Sequence, residues 1–241
     1  MFIMKRLMIA LLLLSQTIHA AEHLLHVRYA ISYAIFGTIG FTEATLKIDP
    51  VKQRYTIDIE ARARGLAKVM SNGRIEHYQS RGVVHEGMLR PQVFTTVTQK
   101  GVRFEERHRY RFDHGSQKIT HMHRLKNGED LKVTEELLPY YAKDDILTLF
   151  FNLKKYVTQG VCRKSRCTLT AVGANDKDGR IDIFPAKGEM LRVLLHRRIF
   201  ASKQGELYVH LTKEGFSDYA LLKDVIFFGD VKAKAIKIAR H

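Results

Sequence analysis

Tyr140–Leu153, YYAKDDILTLFFNL, decides how the rest of the chain is read. Asp144 is a suitable N-cap, and Asp145 adds negative charge in the first turn, where the helix dipole favours it. Ile146, Leu147, Leu149, Phe150, Phe151 and Leu153 follow, interrupted only by Thr148 and Asn152. Apolar residues therefore cover most of the circumference. Such a helix is predicted to be buried nearly all round rather than to lie on a surface. Something must wrap it, and the rest of the chain offers strands.

Upstream, Leu25–Phe36 alternates: Leu25, Val27, Tyr29, Ile31, Tyr33 and Ile35 share one face, with His26, Arg28 and Ser32 on the other. That is the period of a half-buried strand. Strands are predicted over Phe41–Ile48, Tyr55–Ala61, Arg74–Val84, Pro91–Gln99, Val102–Phe112, Gln117–Leu125 and Asp130–Leu138, punctuated by Gly, Asn-Gly and Asp-Pro turns. Downstream, Thr168–Gly173, Arg180–Pro185, Met190–Phe200, Glu206–Lys213, Phe216–Phe228 and Asp230–Ala239 resume the pattern. The reading is all-β: a large curved antiparallel meander or incomplete β-barrel wrapped around one buried helix.

The N-terminus reads as a secretory signal over residues 1–20. Lys5 and Arg6 supply the positive region, Leu7–Leu14 the apolar run, and Ala20/Ala21 the cleavage zone. That run is too short to span a bilayer, and no later stretch is long enough. Residues 21–241 then form a single β domain, with four dispersed prolines and no low-complexity linker. The expected address is the periplasm.

The formal charge is +15, of which Lys5 and Arg6 supply two. A basic exported protein meets anionic lipid head groups or acidic polymers. Nucleic acid is disfavoured, since no recognition motif accompanies the charge. Cys162 and Cys167, the only cysteines, are predicted to close a small disulfide loop in an oxidising compartment.

The stretches Tyr29–Gly40 (YAISYAIFGTIG), Ala63–Met70 with its Gly65-Leu66-Ala67, Tyr78–Pro91 (YQSRGVVHEGMLRP), Asp144–Leu153 (DDILTLFFNL) and Val172–Asp182 (VGANDKDGRID) together resemble the exported bacterial family known as domain of unknown function 3108. The resemblance implies an envelope protein of Gram-negative bacteria with a mostly antiparallel, barrel-like fold. Its motifs are glycines, turns and apolar runs, and it carries no catalytic residue onto this chain.

Two candidate sites follow from the pattern. With a two-residue turn at His114–Gly115 and a three-residue turn at Asn127–Glu129, His108 falls opposite His121, Glu106 opposite His123, and Glu135 beside His121. Glu106, His108, His121, His123 and Glu135 then form one patch of imidazoles and carboxylates, suited to zinc or a similar metal. The simpler reading is a solvated sheet face. The second candidate is an apolar groove for a lipid or other hydrophobic ligand, with Leu66, Val69 and Met70 at its rim and Phe150 or Phe151 at its floor. Close packing would instead fill that space. Catalysis has little support: there is no G-x-S-x-G, no H-E-x-x-H and no phosphate loop. The functional expectation is a non-enzymatic envelope protein that binds a lipid or hydrophobic ligand. The alternative is a structural or assembly factor docking on an anionic envelope component through the basic face Arg103, Arg107, Arg109 and Arg111.

Overall fold

A computed structural model describes residues 23–33, 37–65, 68, 72–158, 166–175, 177–187, 189–196, 205–225 and 229–240. The signal segment, Leu66, Val69, Met70 and Cys162 lie outside the described residues. The elements run β1 (His23–Tyr33), β2 (Gly37–Asp49), β3 (Arg54–Ala63), β4 (Ile75–His85), β5 (Met88–Lys100), β6 (Phe104–Asp113), β7 (Lys118–Asn127), β8 (Asp130–Leu137) and β9 (Asp144–Asp145). Helix α1 (Ile146–Thr158) comes next, followed by β10 (Cys167–Val172), β11 (Arg180–Pro185), β12 (Met190–Leu194), β13 (Glu206–Leu211), β14 (Ser217–Val225) and β15 (Gly229–Arg240).

The strands form one sheet of fifteen, ordered β8-β7-β6-β5-β4-β3-β2-β1-β15-β14-β13-β12-β11-β10-β9. The first and last strands pair in the middle, Val27 against Ile238. Every neighbour is antiparallel except β9, which runs parallel to β10. The two outer strands, β8 and β9, are consecutive in the chain. Laid flat at about 4.8 Å per strand, the sheet would be about 67 Å across. The link from Leu137 to Asp144 reaches at most about 25 Å when fully extended. The sheet therefore has to roll, and the all-β, curved-sheet reading holds.

The roll encloses α1. On one side Leu149 and Leu153 pack with Ile181, Ile183, Val193 and Val209. On the other, Leu147 packs with Tyr55, Ile57, Phe94, Phe112 and Ile119. The helix is the wedge between these two cores, which is why its apolar residues encircle it. Burial of each such side chain contributes roughly 1.5–3 kcal/mol.

The start of the helix differs from the prediction. Asp144 and Asp145 form β9, paired with Ala171 and Val172, and no acid stands in the first turn. Asp145, not Asp144, is the cap: its Oδ1 accepts from the amides of Leu147 (2.9 Å) and Thr148 (3.0 Å). The Thr148 hydroxyl accepts in return from the Asp145 amide at 2.9 Å. Pairing with β10 holds Asp144 extended, so the helix begins one residue later.

Candidate functional site: two faces of β6–β8

Strands β6, β7 and β8 form the sheet's overhanging end. The other outer strand, β9, tucks beneath β4 and β5, where the Ser80 hydroxyl donates to Asp145 Oδ2 at 2.5 Å. The β6–β8 end thus has an inner face continuous with the core and an outer face turned away from it.

The inner face begins at buried Phe94 and Ile119 and grows polar with distance from the helix. Phe112 pairs with Ile119, Tyr110 with His121, His108 with His123, and Glu106 with Leu125. This register is two residues from the predicted one. The turn is four residues long, His114–Gln117, because Asp113 Oδ1 accepts from the amides of Gly115 and Ser116, both at 3.0 Å. An even shift keeps every side chain on its predicted face. Glu106, His108, His121 and His123 therefore still meet.

Glu135 does not join them. The second turn has two residues, Gly128 and Glu129, with Asn127 opposite Asp130. Gly128 adopts φ +65°, which the tight loop requires. The odd shift turns β8 over: Glu135 lies opposite Met122 on the outer face, and Glu136 lies opposite His121.

The rings stack in a ladder. Centroids are 5.8 Å apart for Phe94 and Tyr110, 4.5 Å for Tyr110 and His121, 5.2 Å for His121 and His108, and 4.4 Å for His108 and His123. Glu106 Oε1 is 3.4 Å from His108 Nε2 and 3.1 Å from His123 Nε2. His108 Nδ1 lies 3.0 Å from His121 Nε2, and His121 Nδ1 lies 3.2 Å from Glu136 Oε1. Burial, then the neighbouring His123, hold the His108 imidazole below its ordinary pKa against the pull of Glu106. Imidazole nitrogens kept unprotonated are metal ligands and proton acceptors.

The outer face carries Glu105, Arg107, Arg109 and Arg111 on β6, Thr120, Met122, Arg124 and Lys126 on β7, and Leu131, Val133, Glu135 and Leu137 on β8. Arg107 pairs with Arg124, and Arg124 with Val133. Arg107 reaches Glu105 at 3.2 Å, whereas Arg109 and Arg111 form no ion pair among the described residues. Leu131, Val133 and Leu137 are 54%, 54% and 59% exposed. Arg103 lies in the preceding turn, where its carbonyl accepts from the Gly128 amide at 2.9 Å. Further along this face a pocket of about 230 Å³ opens between Glu60, Arg62, His77, Gln99 and Arg107.

The remaining predicted positions fall elsewhere. Phe150 packs in one core cluster and Phe151 in the other, while the expected groove rim lies outside the described residues. Cys167 is buried at the start of β10, and its expected partner Cys162 is not described.

Reading Asp144 and Asp145 only as residues of a helix start missed a buried network. Asp145 and Asp144 are 0% and 3% exposed. Burial pushes the Asp145 carboxyl up to about 7 and raises Asp144 as well. Ser80 links Asp145 to the Tyr55 hydroxyl at 3.1 Å. Asp144 accepts from the Tyr156 hydroxyl and from Asn152 Nδ2, the latter at 2.8 Å. Asn152 also bonds both the amide and the carbonyl of Leu89. Each carboxylate oxygen has a partner, so the network clamps helix to sheet rather than facing a substrate. The polar Asn152 inside an apolar helix was its sequence signal.

The sequence profile of a protein family of unknown function, DUF3108, matches residues 28–170. The chain belongs to that family. No curated protein is a significant match. Among solved structures, the chain is similar to the crystal structure of a beta-barrel-like protein of domain of unknown function DUF1849 from Brucella abortus. That similarity has a TM-score of 0.49 and 11% identity, covering 91% of this chain and 98% of the other. No helix among the described residues is long and apolar enough to cross a membrane.

Proposed function

We propose that this member of the DUF3108 family is an exported, non-enzymatic protein of the cell envelope that docks on an anionic lipid surface through the outer face of β6–β8. The observation that carries the reading is the exposed apolar row Leu131, Val133 and Leu137, in register with Arg107, Arg111 and Arg124. Apolar side chains beside cations suit the boundary between head groups and acyl chains. A cation near an anionic surface contributes about 1 kcal/mol, over a range of about 8 Å at physiological salt. The surplus of arginine over Glu105 and Glu135 therefore favours reversible rather than permanent attachment. The overall charge of +15 has the sign this requires.

Carriage of a lipid in an internal groove has less support, because Phe150 and Phe151 are each packed in a core cluster. Sedimentation with vesicles separates the readings. Protein lacking residues 1–20 is expected to pellet with phosphatidylglycerol-containing vesicles, not with pure phosphatidylcholine, and less so at high salt. Arg109→Glu with Arg111→Glu should abolish pelleting, and Leu131→Ser with Val133→Ser should weaken it. Equal binding to both vesicle types, or full binding by the charge-reversed variant, would sink the docking reading.

A further inference from the structure

The inner face of the same strands has a different chemistry, and its consequence does not depend on docking. We infer that Glu106, His108 and His123 form a binding site for a divalent transition-metal ion of the zinc class. One ligand atom from each lies within 4.8 Å of the other two. Glu106 Oε1 already stands 3.4 Å and 3.1 Å from the two Nε2 atoms. Donors around a tetrahedral zinc ion, with bonds of about 2.0–2.1 Å, are separated by about 3.3 Å. Two of the three donor separations match that spacing, and the third lies within 4.8 Å.

The backbone scaffold is set by strand pairing: His108 and His123 are directly paired residues of adjacent antiparallel strands, and Glu106 is two residues from His108 on the same face. The two rings stack with centroids 4.4 Å apart and planes 4° apart, so one ring must turn about its Cβ–Cγ bond for both in-plane lone pairs to meet a shared ion.

The surrounding contacts orient the donors. His108 Nδ1 lies 3.0 Å from His121 Nε2, and His121 Nδ1 lies 3.2 Å from Glu136 Oε1. These contacts occupy Nδ1 of His108 and leave its Nε2 directed at Glu106 Oε1, the oxygen on which His123 Nε2 also converges.

His121 and Glu136 then act as the outer support that metal-bound histidines ordinarily have, holding His108 in the tautomer whose Nε2 is free to coordinate. Three protein donors, two imidazoles and a carboxylate, leave a fourth position for water or an incoming ligand atom. His123 and Glu106 side chains are 31% and 35% exposed, which keeps that position within reach of solvent.

The test uses the chain without residues 1–20, stripped with a chelator and titrated with zinc ion alone by calorimetry. One equivalent is expected to bind. His108→Ala with His123→Ala should weaken binding about 100-fold or more, and His121→Ala, which removes no ligand, about 10- to 100-fold. Cobalt in place of zinc should give the visible bands of a four-coordinate site in wild type. The His121 variant should keep those bands at reduced affinity, separating positioning from coordination. Failure of wild type to take up stoichiometric zinc would overturn the inference. So would undiminished binding by the double variant, with thermal melting confirming that it is folded. Glu106→Gln, which keeps the size of the side chain, provides the same comparison should the double variant not fold.

Discussion

Ser80 on β4 donates a 2.5 Å hydrogen bond to Asp145, sixty-five residues away, and this bond ties an outermost strand of the sheet to its interior. Asp145 at the same time caps α1 through the Leu147 and Thr148 amides. One carboxylate thus sets where the helix starts and how far the sheet rolls. Its burial makes it costly to ionise, because a charge in a low-dielectric interior loses its hydration.

The pH dependence of stability follows from that cost. The folded-state pKa of Asp145, about 7, lies above the unfolded value of about 3.9. Its contribution is therefore fully present below the unfolded pKa and is lost as pH rises through about 7. Between these values the slope from this group is at most about 1.4 kcal/mol per pH unit. Urea unfolding at several pH values from 5 to 7.5 should show stability falling with pH, and Asp145→Asn should flatten the curve. An unchanged slope in the variant would disprove the assignment.

Asn152 is the second clamp. Its amide donates to the Leu89 carbonyl and to Asp144, both at 2.8 Å, and its oxygen accepts from the Leu89 amide at 2.9 Å. Asn152→Ala takes the side-chain partner from the Leu89 amide and carbonyl and from one oxygen of Asp144, which keeps Tyr156 on the other, at about 1–3 kcal/mol for each buried group left unsatisfied. A loss of about 3 kcal/mol or more is expected in chemical denaturation. A loss below about 1 kcal/mol would mean that water or a rearranged neighbour replaces the bonds.

Gly82 is required by close approach rather than by backbone angle. It sits at the bulge where β4 and β5 shift register after Arg81. A Cβ there would run into the Arg90 carbonyl and come within 2.9 Å of the Gln92 amide nitrogen. Gly82→Ala is expected to cost several kcal/mol or prevent folding, whereas Gly101→Ala, with open space around it, should cost about 1 kcal/mol for its positive φ alone. Equal melting temperatures for the two variants would contradict this.

The register of β8 can be read out chemically. Glu136→Gln removes the carboxylate 3.2 Å from His121 Nδ1, whereas Glu135→Gln alters the outer face. Zinc affinity should fall about 10-fold in the first and stay unchanged in the second. The reverse result would restore the register expected from a three-residue turn.

Much of the inner patch was legible because strand parity survives an even error. Asp113 captures two amides and lengthens one turn by two residues, and the three histidines and Glu106 still share a face. A single residue at Gly128–Glu129 was enough to exchange Glu135 for Glu136. Turn length depends on local hydrogen bonds and on φ at one glycine, and alternation along a strand does not encode either one.

What the amino-acid order determined was the kind of structure. Apolar residues all round one short helix require a wall on every side, and period-two strands joined by short turns can supply it. The closure of the roll was decided only in three dimensions. The link from Leu137 to Asp144 is too short to span a flat sheet, so β9 comes to rest under β4, where Ser80 meets Asp145. Whether a carboxylate is a wet helix cap or a buried clamp depends on what packs above it, and that neighbour lies sixty-five residues away in the chain.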